Sequence, residues 1–295
     1  MDYGREEGDM DNVIEVRSLV GKTTVTSSIT CLRSLLRASA EPLRLVIHED
    51  GTLDDSDREA LTRIGNRVEL VSRASVDERL RVILARYPLC LAAREAHPFF
   101  LKLFDIPLLA GEHLAYCDSD VLFVRRIRGL FTPPAPGARL TLMTDLKHAY
   151  SLRPWKVWPA GPVRLAGRVN AGLVVWDRPQ PDLDRVEWLF ARLASDRGFI
   201  NRLHWAEQTA WAAWAADCNG WLWDAKQIVL ADAAMSRVSG DTVAIHFVST
   251  YRYHLRSYQD RSLHDDPPVA VRAKPAKRLT AWGMFWSDAK ARLGW

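Results

Sequence analysis

Asp118 and Asp120 stand at positions i and i+2 around the small Ser119. Two carboxylates so spaced can hold one divalent ion and still leave coordination positions open to phosphate oxygens and water. Oxygen ligands favour Mg2+ or Mn2+. Such an ion would stabilise a nucleoside diphosphate as negative charge develops on it during its departure from a carbon centre. An acidic pair alone is commonplace and would ordinarily be read as a solvated turn. Here it follows His113 to Cys117, an apolar run of strand character, and open α/β sheets place their ligands beyond the carboxyl ends of strands. Arg252 is a second candidate on chemical grounds, since a guanidinium binds phosphate oxygens bidentately; the alternative is an exposed surface arginine.

The elements that must position these residues alternate along the first half. Val13 to Leu19 has the apolar, β-branched character of a strand, and Ser27 to Arg37 repeats apolar residues at helical spacing through Ile29, Leu32, Leu35 and Leu36. Leu43 to Ile47 predicts a strand, Asp55 to Ile64 a helix, Val68 to Val71 a strand, and Ser75-Val76-Asp77-Glu78 a capping box that opens a helix to Arg86. Pro98 to Leu109 continues as helix. This wiring predicts a parallel sheet with helices on its faces. Further on, Leu140 to Met143, Arg168 to Trp176 and Val243 to Val248 predict strands, the last of them final in the chain, and Leu183 to Leu193 and Trp205 to Ala215 predict helices. Between them Lys147 to Gly167 is a long segment rich in Trp, Pro and Arg, of a length that is usually functional in a compact domain.

The 295 residues, 48% of them hydrophobic and 26% charged, suffice to bury a sizeable core. The net charge of +4 is a property of one end: Val271 to Trp295 carries six Lys or Arg against one Asp, which leaves −1 for the rest. A phosphate-tracking surface needs clustered basic residues, so nucleic acid is not an expected partner. Four scattered cysteines without a C-x-x-C pair are the usage of a reducing compartment. Met1 to Asp11 lacks the apolar run of a signal peptide, and no stretch approaches the roughly 20 apolar residues that span a bilayer. A cytoplasmic protein is expected, without a transmembrane segment. Three parts are expected: a flexible tail over 1–12, a main domain over 13–260, and a basic, aromatic tail or helix over 261–295.

Tyr116-Cys117-Asp118-Ser119-Asp120-Val121-Leu122-Phe123 resembles the metal-binding D-x-D of GT-A glycosyltransferases, in particular the retaining family of glycogenin and the bacterial lipopolysaccharide galactosyl- and glucosyltransferases. Three further segments match in order, so that the resemblance covers roughly residues 13 to 255. Phe99-Phe100-Leu101-Lys102-Leu103 resembles the preceding helix, whose basic residue reaches the donor sugar or phosphate, and Lys102 takes that place. Val169-Asn170-Ala171-Gly172-Leu173-Val174-Val175 resembles the family's N-A-G strand, whose Asn and Gly approach donor and acceptor. Ala244-Ile245-His246-Phe247 resembles the late strand whose histidine is the third metal ligand, and a borderline imidazole nitrogen beside two carboxylates suits Mn2+ independently of the family. The resemblance implies a GT-A α/β fold with a mixed, mostly parallel central sheet flanked by helices, in two abutting Rossmann-like halves. It implies a hexosyltransferase that takes a UDP-hexose donor and retains the anomeric configuration.

Within that frame Trp205-Ala206-Glu207-Gln208-Thr209 matches the family's acidic or amide pair beside the anomeric carbon. In an inverting enzyme Glu207 would be the general base on the acceptor hydroxyl; in a retaining one Gln208 or Glu207 would stabilise an oxocarbenium-like centre. The family often has Asp where this chain has Glu207, so both outcomes stay open, as does the plain alternative of a Glu favoured by a helix N-terminus. Asp50 resembles the acidic residue that contacts base or ribose in GT-A sites, and is otherwise a turn residue ahead of Gly51. Gly21-Lys22-Thr23 hints at a P-loop, but Val16 replaces the earlier glycine, so Gly21 is assigned to the first strand-loop of the nucleotide site. Arg153, Trp155 and Trp158 could form an acceptor platform, because aromatic faces stack on sugars and arginine bonds their hydroxyls. Trp205, Trp211, Trp214, Trp221 and Trp223 are assigned to packing.

The acceptor expected is a saccharide or lipid-linked glycan. The tail places Leu279, Trp282, Trp286, Ala289 and Leu293 at 3-4 spacing beside Lys and Arg, which fits an interfacial helix in peripheral contact with anionic lipid as well as an amphipathic helix packed on its own domain. Two other functions compete. A haloacid-dehalogenase phosphatase also places an aspartate pair after a strand, but normally after the first one and followed by D-x-D-x-T/V, where this chain has Leu122. A catalytically silent carbohydrate- or nucleotide-binding protein of the same fold is the other.

Overall fold

Strand β1 (Ile14–Val20) buries alternate residues, and helix α1 (Val25–Ala38) packs beside it with Val25, Ser28, Cys31, Leu32, Leu35 and Ala38 turned inward at 3-4 spacing. The computed structural model to which these elements belong describes residues 13–152, 163–194, 205–259 and 266–293. Strand β2 (Leu43–Glu49) joins β1 in parallel. Helix α2 (Asp55–Thr62) opens on a capping box between Asp54 and Asp57, and strand β3 (Val68–Val71) extends the parallel ladder. Helix α3 spans Arg73–Leu84. Its cap is Ser72, not Ser75 as the sequence pattern suggests: the Ser75 N–H donates to the Ser72 hydroxyl at 3.1 Å, and the Ser75 hydroxyl donates to the Ser72 carbonyl. Ser72 has no Glu or Gln three residues on to complete a box, yet its hydroxyl alone satisfies an N–H of the first turn and starts the helix.

Helices α4 (Pro88–Ala96) and α5 (Phe99–Leu108) follow, and β4 (His113–Cys117) inserts beside β1 in parallel. The short strands β5 (Val121–Phe123) and β6 (Ile127–Arg128) lead to β7 (Leu140–Thr144), β8 (Leu165–Ala166) and β9 (Val169–Asp177). Helix α6 (Leu183–Ala194) and the almost wholly buried helix α7 (Ala206–Asp217) cover this half. There Trp176, Trp211 and Trp214 pack ring against ring with centroids 5.0 to 5.8 Å apart. Strands β10 (Trp221–Trp223), β11 (Ile228–Leu230) and β12 (Ala244–His246) come next, then a 3-10 segment over Ser249–Ser257.

Strand β12 is not the last one. Strands β13 (Val269–Ala270), β14 (Ala273–Pro275) and β15 (Arg278–Leu279) and helix α8 (Ala281–Leu293) come after it. Strands of two or three residues are too short to show a period in sequence, and their pairing partners alone define them. Eight strands form the central sheet in the order β14-β10-β7-β9-β4-β1-β2-β3. Strands β9 and β14 run against the other six, so the sheet is mixed and mostly parallel. A second sheet, β11-β12-β5, stands beyond the end of β4. Among the described residues no helix is long and apolar enough to cross a membrane.

Candidate functional site

The turn after β4 is pinned from two sides. The Asp118 N–H donates to the Gly172 carbonyl of β9 at 2.7 Å, and the Phe247 N–H donates to the Asp120 carbonyl at 2.9 Å. Antiparallel pairing of β12 with β5 sets His246 opposite Val121. A residue some 130 positions downstream of the D-x-D thus arrives one pair away from it. His246 Nε2 lies 3.0 Å from Asp120 Oδ1 and 3.5 Å from Asp118 Oδ2, and one ligand atom from each of the three residues falls within 4.8 Å of the others. Gly172 is what admits the ring: a Cβ there would sit 2.4 Å from His246 Nδ1, so the glycine of the N-A-G strand is required by close approach. The donor set, two carboxylates and one imidazole, fits Mn2+ or Mg2+, and Asp118, Asp120 and His246 are the residues that could hold it.

Basic groups hold the carboxylates in place. Lys102 Nζ donates to Asp118 Oδ2 at 2.7 Å, and the Tyr116 hydroxyl donates to Asp118 Oδ1 at 2.6 Å. Burial pushes the Tyr116 phenol well above its ordinary pKa, with Asp118 adding to the shift, so the hydroxyl stays protonated. Burial pulls the Lys102 ammonium down, but Asp118 and Glu207 outweigh it and leave the pKa raised. Arg252 donates through Nε and its terminal nitrogen to Asp120 Oδ2, at 3.0 and 2.8 Å. Burial works against ionisation of Asp120; His246 and Arg252 overcome it and hold the carboxyl low, at about 2. Glu207 lies behind this group, its Oε1 3.9 Å from Lys102 Nζ. Burial pushes Glu207 up to about 7, with Lys102 opposing and Asp118 reinforcing.

On the other side of the cavity the side chains are mostly neutral. Asn170 Oδ1 accepts from the Gly172 N–H at 2.9 Å, which turns the Asn170 amide nitrogen to Asp145 Oδ2, 3.2 Å away. Gln208 Nε2 donates to the same Asp145 oxygen at 3.1 Å and to the Ala149 carbonyl at 3.2 Å. Both N–H groups of Gln208 are therefore committed, and its Oε1 takes only a 3.5 Å contact from Asn170. Asp145 is the residue that sequence reasoning missed. It is 5% exposed and lines the cavity, and it follows the apolar strand β7 as Asp118 follows β4. That parallel was the available signal; a single acidic residue is weaker to the eye than a pair.

These groups share a cavity of about 790 Å³. Asp118, Ser119, Asp120, His246, Lys102 and Arg252 line it, as do Asn170, Ala171, Gln208 and Asp145. Gly21 and Asp50 line its β1–β2 end, where a Cβ on Gly21 would meet Asp50 Oδ2 at 2.1 Å. Glu207 and Gly172 are not part of the lining, and both act from behind it. Trp205, assigned to packing from sequence, belongs to the lining, and Lys147 Nζ stands 5.3 Å from its ring centroid; Trp211, Trp214 and Trp223 are core residues. Arg153, Trp155 and Trp158 fall outside the described residues.

No protein-family profile and no curated protein matches the chain. Solved structures do match. Mouse xyloside xylosyltransferase 1 in its apo form is similar over 81% of this chain and 99% of its own, with 14% identity and a TM-score of 0.55. The galactosyltransferase LgtC, in complex with donor and acceptor sugar analogues, is similar over 86% of this chain and 98% of its own, with 12% identity and a TM-score of 0.53. At such identities it is the fold that is shared: the chain has the mixed α/β architecture of GT-A glycosyltransferases.

Proposed function

We propose that this chain is a metal-dependent glycosyltransferase that moves a hexose from a nucleoside-diphosphate sugar, a UDP-hexose, to a saccharide or lipid-linked glycan. The observation that carries this reading is the convergence of Asp118, Asp120 and His246 within 4.8 Å at the wall of a cavity lined also by Lys102 and Arg252. A bound Mn2+ or Mg2+ would neutralise the diphosphate as the bond to the sugar carbon breaks. The chain's own cations serve the same charge. Arg252, 44% exposed and paired with Asp120, can reach phosphate oxygens with the face of its guanidinium that Asp120 leaves free. Lys102 is held beside Asp118 and keeps its proton. Asp50 and Gly21, at the far end of the cavity, take the base and ribose end.

Retention of configuration is the stereochemistry this geometry supports best. Glu207 has the pKa of a general base, about 7, but it faces Lys102 and stands outside the cavity lining, and a base must first reach its proton. Gln208 lines the cavity, and its Oε1, which takes only the 3.5 Å contact from Asn170, keeps a lone pair to set against an electron-deficient sugar carbon. Asn170 and Asp145 orient it. The test is calorimetric titration of UDP, GDP, ADP and CMP with and without Mn2+. Binding of UDP that requires the metal is expected. Absence of binding by every nucleotide, or binding indifferent to metal, overturns the proposal in favour of a silent fold.

A further inference from the structure

Helix α8 turns its aromatic face away from the protein. Thr280 caps it, accepting from the Gly283 N–H at 3.0 Å, and Met284, 2% exposed, packs into the large hydrophobic cluster beneath α7. On the opposite side Trp282, Phe285 and Trp286 are 67, 48 and 52% exposed. Their rings touch one another with centroids 5.5 to 6.3 Å apart. At 100° per residue these three positions fall on one stripe and Met284 on the other. The packed-helix alternative raised by the sequence therefore does not describe this face.

We infer that the outer face of α8 docks the protein on an anionic bilayer surface. The residue types fit headgroup depth, where amphipathic aromatic rings settle, better than a hydrocarbon core, which favours aliphatic side chains. Charge is complementary: Lys274, Lys277 and Arg278, just before the helix, are exposed, and Val271 to Trp295 carries +5 while the preceding chain carries −1. The area argues against a protein partner. Three rings of at most roughly 250 Å² each, about half exposed, fall well short of the ~800 Å² per partner of a stable interface. The face is also tied to the cavity side of the molecule. Strand β15, next to α8, pairs with β8, and the Gly167 N–H donates to the Lys277 carbonyl at 2.8 Å. Lys147 and Ala149, earlier in the chain, line the cavity. The inference does not depend on the glycosyl-transfer reading.

The test is co-sedimentation of the full chain, without nucleotide or metal, with vesicles of phosphatidylcholine alone and of phosphatidylcholine mixed with phosphatidylglycerol. At least about tenfold stronger partition into the mixed vesicles is expected, lost on adding salt. The triple variant Trp282→Ala, Phe285→Ala, Trp286→Ala should lose about tenfold or more of it, and Lys274→Glu with Lys277→Glu should remove the preference for the anionic lipid. Equal partition of the unaltered chain into both vesicles overturns the inference, as does an aromatic variant that binds like the parent. So does light scattering that shows a dimer which the aromatic variant dissociates, because the face would then be a self-interface.

Discussion

On one side of the cavity Asp118, Asp120 and Glu207 crowd against Lys102, Arg252 and His246. On the other, a single carboxylate, Asp145, gathers the amides of Asn170 and Gln208. The first arrangement is built of full charges whose balance an arriving cation or phosphate would change. The second is built of dipoles whose orientation is fixed through a chain that starts at a backbone N–H, that of Gly172. Charges suit a diphosphate and its metal; oriented dipoles suit hydroxyls and a transient positive carbon, where angle matters more than net charge.

Breaking the charged side should cost most. On the proposed reading Asp120→Ala removes a metal ligand and leaves Arg252 and His246 without this carboxylate, so transfer activity should fall by about 10²- to 10³-fold and Mn2+ affinity with it. An unchanged Mn2+ titration would remove Asp120 from the metal site. Glu207 gives the next effect, on stability. Its carboxyl is raised from 4.5 to about 7 in the fold, so the folded protein holds a proton that the unfolded chain releases. The stabilisation is complete below pH 4.5 and is lost as pH rises through 7, by about 3 kcal/mol in all. Thermal melts should fall over that window for the parent and stay flatter for Glu207→Gln. Parallel curves would show that Glu207 does not titrate there.

The boundary between the two sides is tested by Gly172→Ala. The added Cβ collides with His246, 2.4 Å from Nδ1, and crowds Asn170 Oδ1 at 3.0 Å, so both sides should feel it, at a cost of about 1–3 kcal/mol of stability and about tenfold in Mn2+ affinity. The amide side gives the smallest and most selective change. Asp145→Asn has one acceptor oxygen where Asp145 uses two, Oδ2 for both amides and Oδ1 for the Lys147 N–H, so it should turn Gln208, lowering kcat about tenfold while affinity for the metal–nucleotide pair holds. If affinity falls instead with kcat intact, Asp145 contacts substrate and does not orient Gln208.

What the sequence determined by itself is local. The strand-then-carboxylate pattern at Asp118 and Asp120, the helical spacing of Ser27 to Arg37, and the β9 segment around Asn170 are all signals contained within a dozen residues, and the fold returned each of them where the pattern put it. Asp145 carried the same signal in weaker form. The partnerships, by contrast, were decided by the tertiary structure. Antiparallel pairing of β12 with β5 brought His246 to the D-x-D, and packing of α7 beneath the sheet faced Gln208 into the cavity and Glu207 toward Lys102. Strands β13 to β15 exist only because distant edges were there to receive them. A period of two or 3.6 residues says which face of an element is buried, but not which other element will cover it. That choice is made by long-range packing, which also turned α8 so that Met284 went in and its tryptophans out.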